Sequence, residues 1–440
     1  MIVDCFTFFD ELDLLELRLE TLDAVVDRFV LCEAPFTFRG KPKPLAFAQA
    51  RDRFARWRDR IVPLVYSQPA SSNPWINEWG QRDYLSAGLA GLAGDDLVLI
   101  GDCDEIPDPA NVARRPSPGR ILAHRQRYSA GYVNRVAPEP WIGTRAIALR
   151  DIARYATLSE VRKQPREALE YVDGGWHFTS LGGPVTQARK FRSASHAEVD
   201  LPYFYDLRKL EVTFAAETGG RKIPIDASFP EPIRNAARWE RYVWNGPSLS
   251  DPAQVEALEH AHGLFAYVPD AAAGVAVVST EPASWEAAGR ERFGARWTGV
   301  SAGLPADGVR PPWVVLDGLE RFGAGMLTAL RARGANVVAF GRNARSFTVF
   351  RDLLAGGGFP AGSALGLAEY QAWLASVAYT VEQTDYLRTD DVFVAWPSMP
   401  EVMYGVTVGP FGIGEIARET LRAFLSDAFI FVLHPLPESP

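Results

Sequence analysis

Apolar and polar positions alternate along this chain in short buried-looking runs separated by stretches at helical spacing. Ile2 to Phe9 reads as a first strand, and LDLLELRLETL (12–22) carries leucines at the spacing of one helix face. VVDRFVLCEA (25–34) predicts a second strand, Arg51 to Arg60 a basic exposed helix, and Ile61 to Val65 a short strand. Trp79 to Leu92 reads as a helix feeding Leu97–Ile100, four consecutive apolar residues suited to the centre of a parallel sheet. Strands alternating with helices predict an α/β fold whose sheet is mixed and mostly parallel. HRQRYSAGYVNRV (124–136) and the segment through GGWHFTSLGG (174–183) read as later, more irregular strands and loops.

The Pro- and Ser-rich stretch Pro247–Pro252 marks a linker, placed at 246–254, between a first domain (1–245) and a second (255–440). The second half shifts to Ala, Gly and Val. Its strand candidates are GVAVVS (274–279), WVVLD (313–317), NVVAF (336–340), VFVAW (392–396) and AFIFVL (428–433), with helices around 323–333, 367–376 and 413–425. The Gly-, Pro- and aromatic-rich segment 396–415 reads as a loop serving as lid or interface.

A length of 440 residues allows two or three domains. The 47% hydrophobic content is that of a globular protein, and a formal charge of −8 gives no support to nucleic-acid binding. Cys5, Cys32 and Cys103 form neither a disulfide framework nor a zinc spacing, which fits a reducing compartment. No basic n-region and no run of eighteen apolar residues is present, so the expectation is a cytoplasmic protein without a membrane span.

The chemistry concentrates in LVLIGDCDEIP (97–107). Gly101 lets the backbone turn after the apolar run, delivering Asp102, Asp104 and Glu105 at a strand's carboxyl end, where α/β sheets bind ligands. Three acids so close repel one another and call for a compensating cation. A hard dication such as Mg²⁺ or Mn²⁺, itself on a diphosphate, would supply one. A solvated acidic turn fits the tripeptide equally well, and the residues alone leave both readings open.

Further blocks stand in order through the first half: DCFTFFDELDLLELRL, FVLCEAPFTFRGKPKPLAF, the QRD of residues 81–83, DDLVLIGDCDEIP, and VDGGWHF followed by KFRSASHAE. Together they resemble glycosyltransferase family 17 over about residues 1–245. The resemblance implies a GT-A-like fold, a UDP-sugar donor (UDP-GlcNAc first), a divalent metal, a glycan acceptor and inversion at the anomeric carbon. On that reading Asp104, ahead of Asp102, holds the metal, with His177 or His196 as a further ligand, while Glu105 serves the turn. Asp4, Phe6 and Glu33, at the ends of the first two strands, are expected at the donor's ribose or base. Arg82, and then Arg189 and Lys190, are expected at the uracil or diphosphate. Asp173 is the first choice of general base, with Glu139 and Glu217 in reserve. Trp141 and Trp176 are candidates for stacking on a sugar, or for burial.

The second half loosely resembles a class I methyltransferase-like Rossmann domain, with WVVLDGLERFGAGMLTALRARGANVVAFGRN as its strand–helix–strand core and AFIFVLHP as an antiparallel last strand. Where that fold carries a glycine-rich turn, this chain has GVAVVSTEPASW, so the cofactor's usual backbone approach is missing. Asp317 and Asn343 stand at strand ends. The domain is expected to pack, to dimerise the chain as a homo-oligomer, or to position the acceptor; S-adenosylmethionine binding, and with it a bifunctional enzyme, is the alternative. The alternative for the whole chain is a non-catalytic nucleotide- or glycan-binding protein with a decayed transferase site.

Overall fold

The first strand, β1 (Ile2–Thr7), alternates its side chains between two buried faces. Val3 and Cys5 join one core with Val30, Cys32, Val98 and Ile100, while Phe6 joins the other with Phe29, Leu31, Leu97 and Leu99. Period-two alternation with both faces apolar is what a central strand of a covered sheet requires. These details come from a computed structural model, which describes residues 1–305, 311–343, 366–387, 404–408, 411–416, 423 and 426–436. Two compact units emerge: Met1–Ala197 with Thr213–Ser250, and Glu198–Val212 with Asp251–Pro440. The segment 198–212, read from sequence as part of the first domain, groups with the second unit.

In the first unit, helix α1 (Leu12–Leu22) buries Leu14, Leu15, Leu17, Leu19 and Leu22. Each such leucine contributes about 1.5–3 kcal/mol of apolar burial. Then follow β2 (Arg28–Glu33), β3 (Ile61–Val65), α2 (Pro74–Tyr84) and β4 (Leu97–Asp102). Helix α2 starts earlier than the expected Trp79, because Asn73 accepts the Trp75 N–H at 3.0 Å and Pro74 occupies the first turn. The expected tail to Leu92 is instead a 3₁₀ turn over Leu85–Leu89. The basic stretch at 51–57 is also 3₁₀, and it buries Phe54 and Trp57.

The later strands are longer and more regular than expected: β5 (Glu105–Pro107), β6 (Ile121–Ala130), β7 (Arg135–Val136), β8 (Trp141–Ala148) and β9 (Leu169–Thr179). Helices α3 (Leu158–Arg162) and α4 (Pro184–Phe191) and the short β10 (Arg221–Lys222) complete what positions the site. The sheet runs β10-β7-β6-β8-β4-β1-β2-β3, with β9 pairing both β5 and β6. Strands β4, β1, β2 and β3 are mutually parallel. From β1 the chain builds outward through β2 and β3, then returns to lay β4 on the other side of β1. The carboxyl ends of β1 and β4, where Thr7 faces Asp102, are therefore the point at which the strand order reverses.

Asp173-Gly174-Gly175, expected as a flexible turn, lies within β9. Gly175 has φ +105° and sits opposite Pro107; a Cβ there would come within 2.5 Å of the Ile106 carbonyl oxygen. Close approach of β5 to β9 is the reason for glycine.

The second unit contains α5 (Pro252–Phe265), β11 (Val275–Val278), β12 (Trp297–Ser301), β13 (Trp313–Asp317), α6 (Leu319–Ala332), β14 (Asn336–Arg342), α7 (Leu367–Ser376) and β15 (Tyr379–Leu387). Beyond these, β16 (Tyr404–Val408) and β17 (Phe411–Ile416) form an antiparallel hairpin, and β18 (Ala428–Pro435) closes the series. The main sheet runs β12-β11-β13-β14-β18-β15, with β18 antiparallel to both its neighbours, as expected for a last strand. The hairpin replaces the loop read over part of 396–415, and a strand stands where a helix at 413–425 was expected to start. VFVAW (392–396) lies outside the described residues. Among those residues, no helix is long and apolar enough to cross a membrane.

Candidate active site

A cavity of about 520 Å³ opens in the first unit beside the carboxyl ends of β1 and β4. Asp10 and Glu11 line it from the loop after β1, Asp104 from the turn after β4, and Ser180, Arg189 and Lys190 from the end of β9 and from α4. The backbone beneath it is organised by Arg18. This residue lies among the leucines of α1 yet carries a charge, and it is fully buried. Its guanidinium grips both oxygens of the equally buried Asp4, at 2.7 and 2.6 Å. Its remaining nitrogen donates to the carbonyls of Asp102 (2.9 Å), Cys103 (3.3 Å) and Glu105 (2.7 Å). A buried ion pair of this kind is tolerated because nearly every donor and acceptor is satisfied. It clamps the DCD turn to the first strand and helix.

The three acids of the turn have separate fates. Asp102 accepts from Thr7 Oγ1 at 2.8 Å and Arg82 Nη2 at 3.0 Å, with Arg162 at 3.6 Å. Burial pushes its carboxyl up, but Arg82 and Arg162 outweigh burial and hold it well below the ordinary carboxylate range. Glu105 accepts from Trp141 Nε1 at 2.6 Å, from the Asp102 N–H at 3.2 Å and from Arg162. Protein cations thus relieve the repulsion that the sequence reading assigned to a dication. Asp104 is the acid that faces the cavity. Its Oδ2 lies 3.2 Å from His177 Nε2 and 3.6 Å from Lys190 Nζ. Burial raises its carboxyl, yet His177 and Lys190 more than offset this and bring it down to about 2. The pairing of Glu105 with His177 across β5 and β9 fixes this meeting. Tyr128 stacks on His177, and the half-exposed Trp141 leans on it with ring centres 4.8 Å apart.

A carboxylate oxygen and an imidazole nitrogen at this separation suit a borderline dication such as Mn²⁺. Among the described residues no three His, Cys, Asp or Glu side chains converge as metal ligands. Two protein donors alone would leave most of such an ion's coordination positions to other ligands.

Other expected site residues lie elsewhere or are already engaged. Asp4 is saturated by Arg18, and Phe6 is fully buried core. Glu33 is buried and accepts the N–H groups of Phe47 and Ala48, each at 3.2 Å, so its carboxylate serves a helix start. Arg82 is spent on Glu78 and Asp102. His196 is exposed, its ring edge-on to Trp75 at 5.0 Å. Asp173 points to solvent in an ion pair with Arg125 at 2.7 Å, away from the cavity lining. Glu139 and Glu217 are likewise exposed and outside that lining, and Trp176 is buried with its indole N–H on the Ser228 carbonyl. Arg189 and Lys190 do line the cavity. The sequence reading missed Arg18, Arg162, Asp10 and Glu11; an arginine amid the leucine stripe of 12–22 was the available signal for the first.

Residues 1–115 match the family model described as Glycosyltransferase family 17. The relatives found are named beta-1,4-mannosyl-glycoprotein 4-beta-N-acetylglucosaminyltransferase. The Rattus norvegicus protein is 33% identical over 115 residues, covering 24% of this chain and 21% of the relative. The Homo sapiens protein is 36% identical over 106 residues, 22% of this chain and 20% of the relative. The chain thus spans about a fifth of the length of the curated relatives it matches. The matched segment holds β1, α1 and the DCD turn, while His177, Arg189 and Lys190 lie beyond it. Over residues 1–115, the part that builds the floor and acidic wall of the cavity, this chain is glycosyltransferase family 17-like.

Proposed function

We propose that the chain is an inverting glycosyltransferase that moves a sugar, GlcNAc first, from a UDP-sugar to a carbohydrate acceptor in the cavity beside Asp104. The observation that carries this reading is Asp104, on the wall of a cavity at the strand-order reversal, with the buried His177 3.2 Å behind its carboxylate and Lys190 beside it. A GT-A-like arrangement of the first unit is part of the same proposal. Lys190 and Arg189 are positioned to take diphosphate oxygens. Lys190 stays protonated: burial favours loss of its proton, but Asp104 and Glu11 outweigh this and raise its pKa. Asp104 and His177 would hold a dication, which as a Lewis acid would supply charge stabilisation to the departing diphosphate. The chain's own part is to exclude water, to orient the donor between α4 and the DCD turn, and to leave an acceptor hydroxyl facing the anomeric carbon. Trp141, over His177, offers an apolar ring face to a sugar.

The test is release of UDP from UDP-GlcNAc, measured against a panel of UDP- and GDP-sugars, with Mn²⁺, with Mg²⁺ and with EDTA, using a β-mannosyl oligosaccharide acceptor. UDP-sugars alone should turn over, and Asp104→Asn should lower turnover by roughly 10²–10³-fold with the fold intact. Equal turnover by Asp104→Asn would defeat the proposal.

A further inference from the structure

One-step inversion needs a base on the acceptor hydroxyl, and the acids that line the cavity can be sorted by what already holds them. Asp13 is committed: Arg53 donates to its Oδ1 at 2.5 Å, and Arg241 and Tyr242 donate to its Oδ2. Asp104 faces His177 and Lys190. Asp10 gives Oδ2 to Arg189 at 2.8 Å, and its Oδ1 is walled in by protein, out of reach of anything in the cavity. Glu11 differs from all three. Its Oε2 accepts the backbone N–H groups of Phe9 (3.1 Å) and Asp10 (3.0 Å), which fixes the plane of the carboxylate. Among the described residues no protein group donates to its Oε1, and the side chain is only partly covered. A carboxylate anchored by one oxygen and open at the other is preorganised to accept a proton.

We propose that Glu11 is the catalytic base. Its Oε1 takes the acceptor's hydroxyl proton while the hydroxyl oxygen bonds to C1 of the donor sugar; the C1–O bond to the diphosphate breaks, and its electron pair leaves with UDP. This rests on the transferase reading above. The surroundings agree with the role. Burial raises the Glu11 carboxyl above its ordinary value, and the negative charges of Asp10 and Asp104 raise it further, moving it toward the pH at which a base works best. Lys43 and Lys190 are the cations that face it, and Cys103 is the buried neutral neighbour.

Glu11→Gln in the full chain tests the assignment, because the amide oxygen can still accept both anchoring N–H groups. With UDP-GlcNAc, Mn²⁺ and a β-mannosyl oligosaccharide, kcat is expected to fall by roughly 10²–10⁴-fold. The KM for donor and the affinity for UDP by calorimetry should stay within about twofold, and the acidic limb of the kcat–pH profile should vanish. A variant with near-wild-type kcat and an unchanged pH profile overturns Glu11 as base and leaves the transferase reading standing. Loss of UDP affinity equal to the loss of kcat also overturns it, since Glu11 would then be serving the donor. A wild-type chain that binds UDP without turnover, or does neither, removes the reaction and the proposal together.

Discussion

The two units share a wiring and differ in what they do with it. In the first, β2 and β3 build outward from β1 before β4 is laid on its other side; in the second, β12 is built on one side of β11 before β13 is laid on the other. Both therefore reverse strand order at one pair of carboxyl ends, the usual place for a ligand. In the first unit that place opens into a cavity lined by a partly open acid, Glu11, and by Asp104, whose carboxylate is backed by the buried His177. In the second, Asp317 at the end of β13 takes Ser279 Oγ on one oxygen at 2.8 Å and His260 Nε2 on the other at 3.1 Å. Tyr203 OH meets the other His260 nitrogen at 3.2 Å, and Phe340 and Trp285 pack on the ring. These groups satisfy one another. Topology offers a site at both reversals, and the strand-end residues differ: carboxylates beside a cavity in the first, a Ser279–Asp317–His260–Tyr203 chain in the second.

The contrast breaks most severely at Arg18. Arg18→Ala leaves Asp4 charged, buried and alone, and should cost about 3–5 kcal/mol in the first unit. Urea unfolding followed by hydrogen exchange over β1 and β4 would show it, with the second unit's protection unchanged. Asp104→Asn comes next, with turnover expected to fall by roughly 10²–10³-fold, the scale of losing one preorganised electrostatic contact. Asp317→Asn is its counterpart in the second unit. It should cost about 1–2 kcal/mol of that unit's stability through weakened hydrogen bonds and leave sugar transfer unchanged. A drop in transfer comparable to that of Asp104→Asn would mean that the second reversal takes part in the chemistry.

Acid sharpens the same comparison by the smallest margin. The Asp104 carboxyl lies below its ordinary value, at about 2, so its stabilisation is complete above about pH 4 and is lost as pH falls toward 2. Asp317 is also lowered: burial raises it, and His260 and Ser279 outweigh burial. Both units should lose stability on acidification, and Asp104→Asn should flatten the loss only in the first, as read by exchange at a series of pH values.

Much of this was legible beforehand, and the gaps have physical causes. The apolar run at 97–100 and the acids after it fix β4 and its turn, since only a buried strand end presents charge so abruptly. The antiparallel β18 follows from AFIFVL. The edge strands β12 and β15 escaped notice; in β15 polar side chains interrupt the run at Glu382, Gln383, Thr384 and Asp385. Among site residues, Asp104, His177 and Lys190 were named but not their mutual distances, which depend on β5 lying beside β9. Asp4 and Glu33 are held by protein donors in the structure, because spacing shows where a carboxylate sits and not which donor reaches it first. Asp173 drew attention through its glycines, whose actual task is to let β5 approach. Glu11 carries no signal of its own inside DELD (10–13), because acids beside a leucine at that place read simply as a helix start.

Under the proposed function, the cavity wall at Asp104 receives a nucleotide diphosphate. Calorimetric titration of UDP into the full chain, with and without Mn²⁺, tests it most directly beside Asp104→Asn and Asp317→Asn. Binding should be strengthened by Mn²⁺, removed by Asp104→Asn and left intact by Asp317→Asn. Binding indifferent to Asp104, or lost with Asp317, would contradict the proposal.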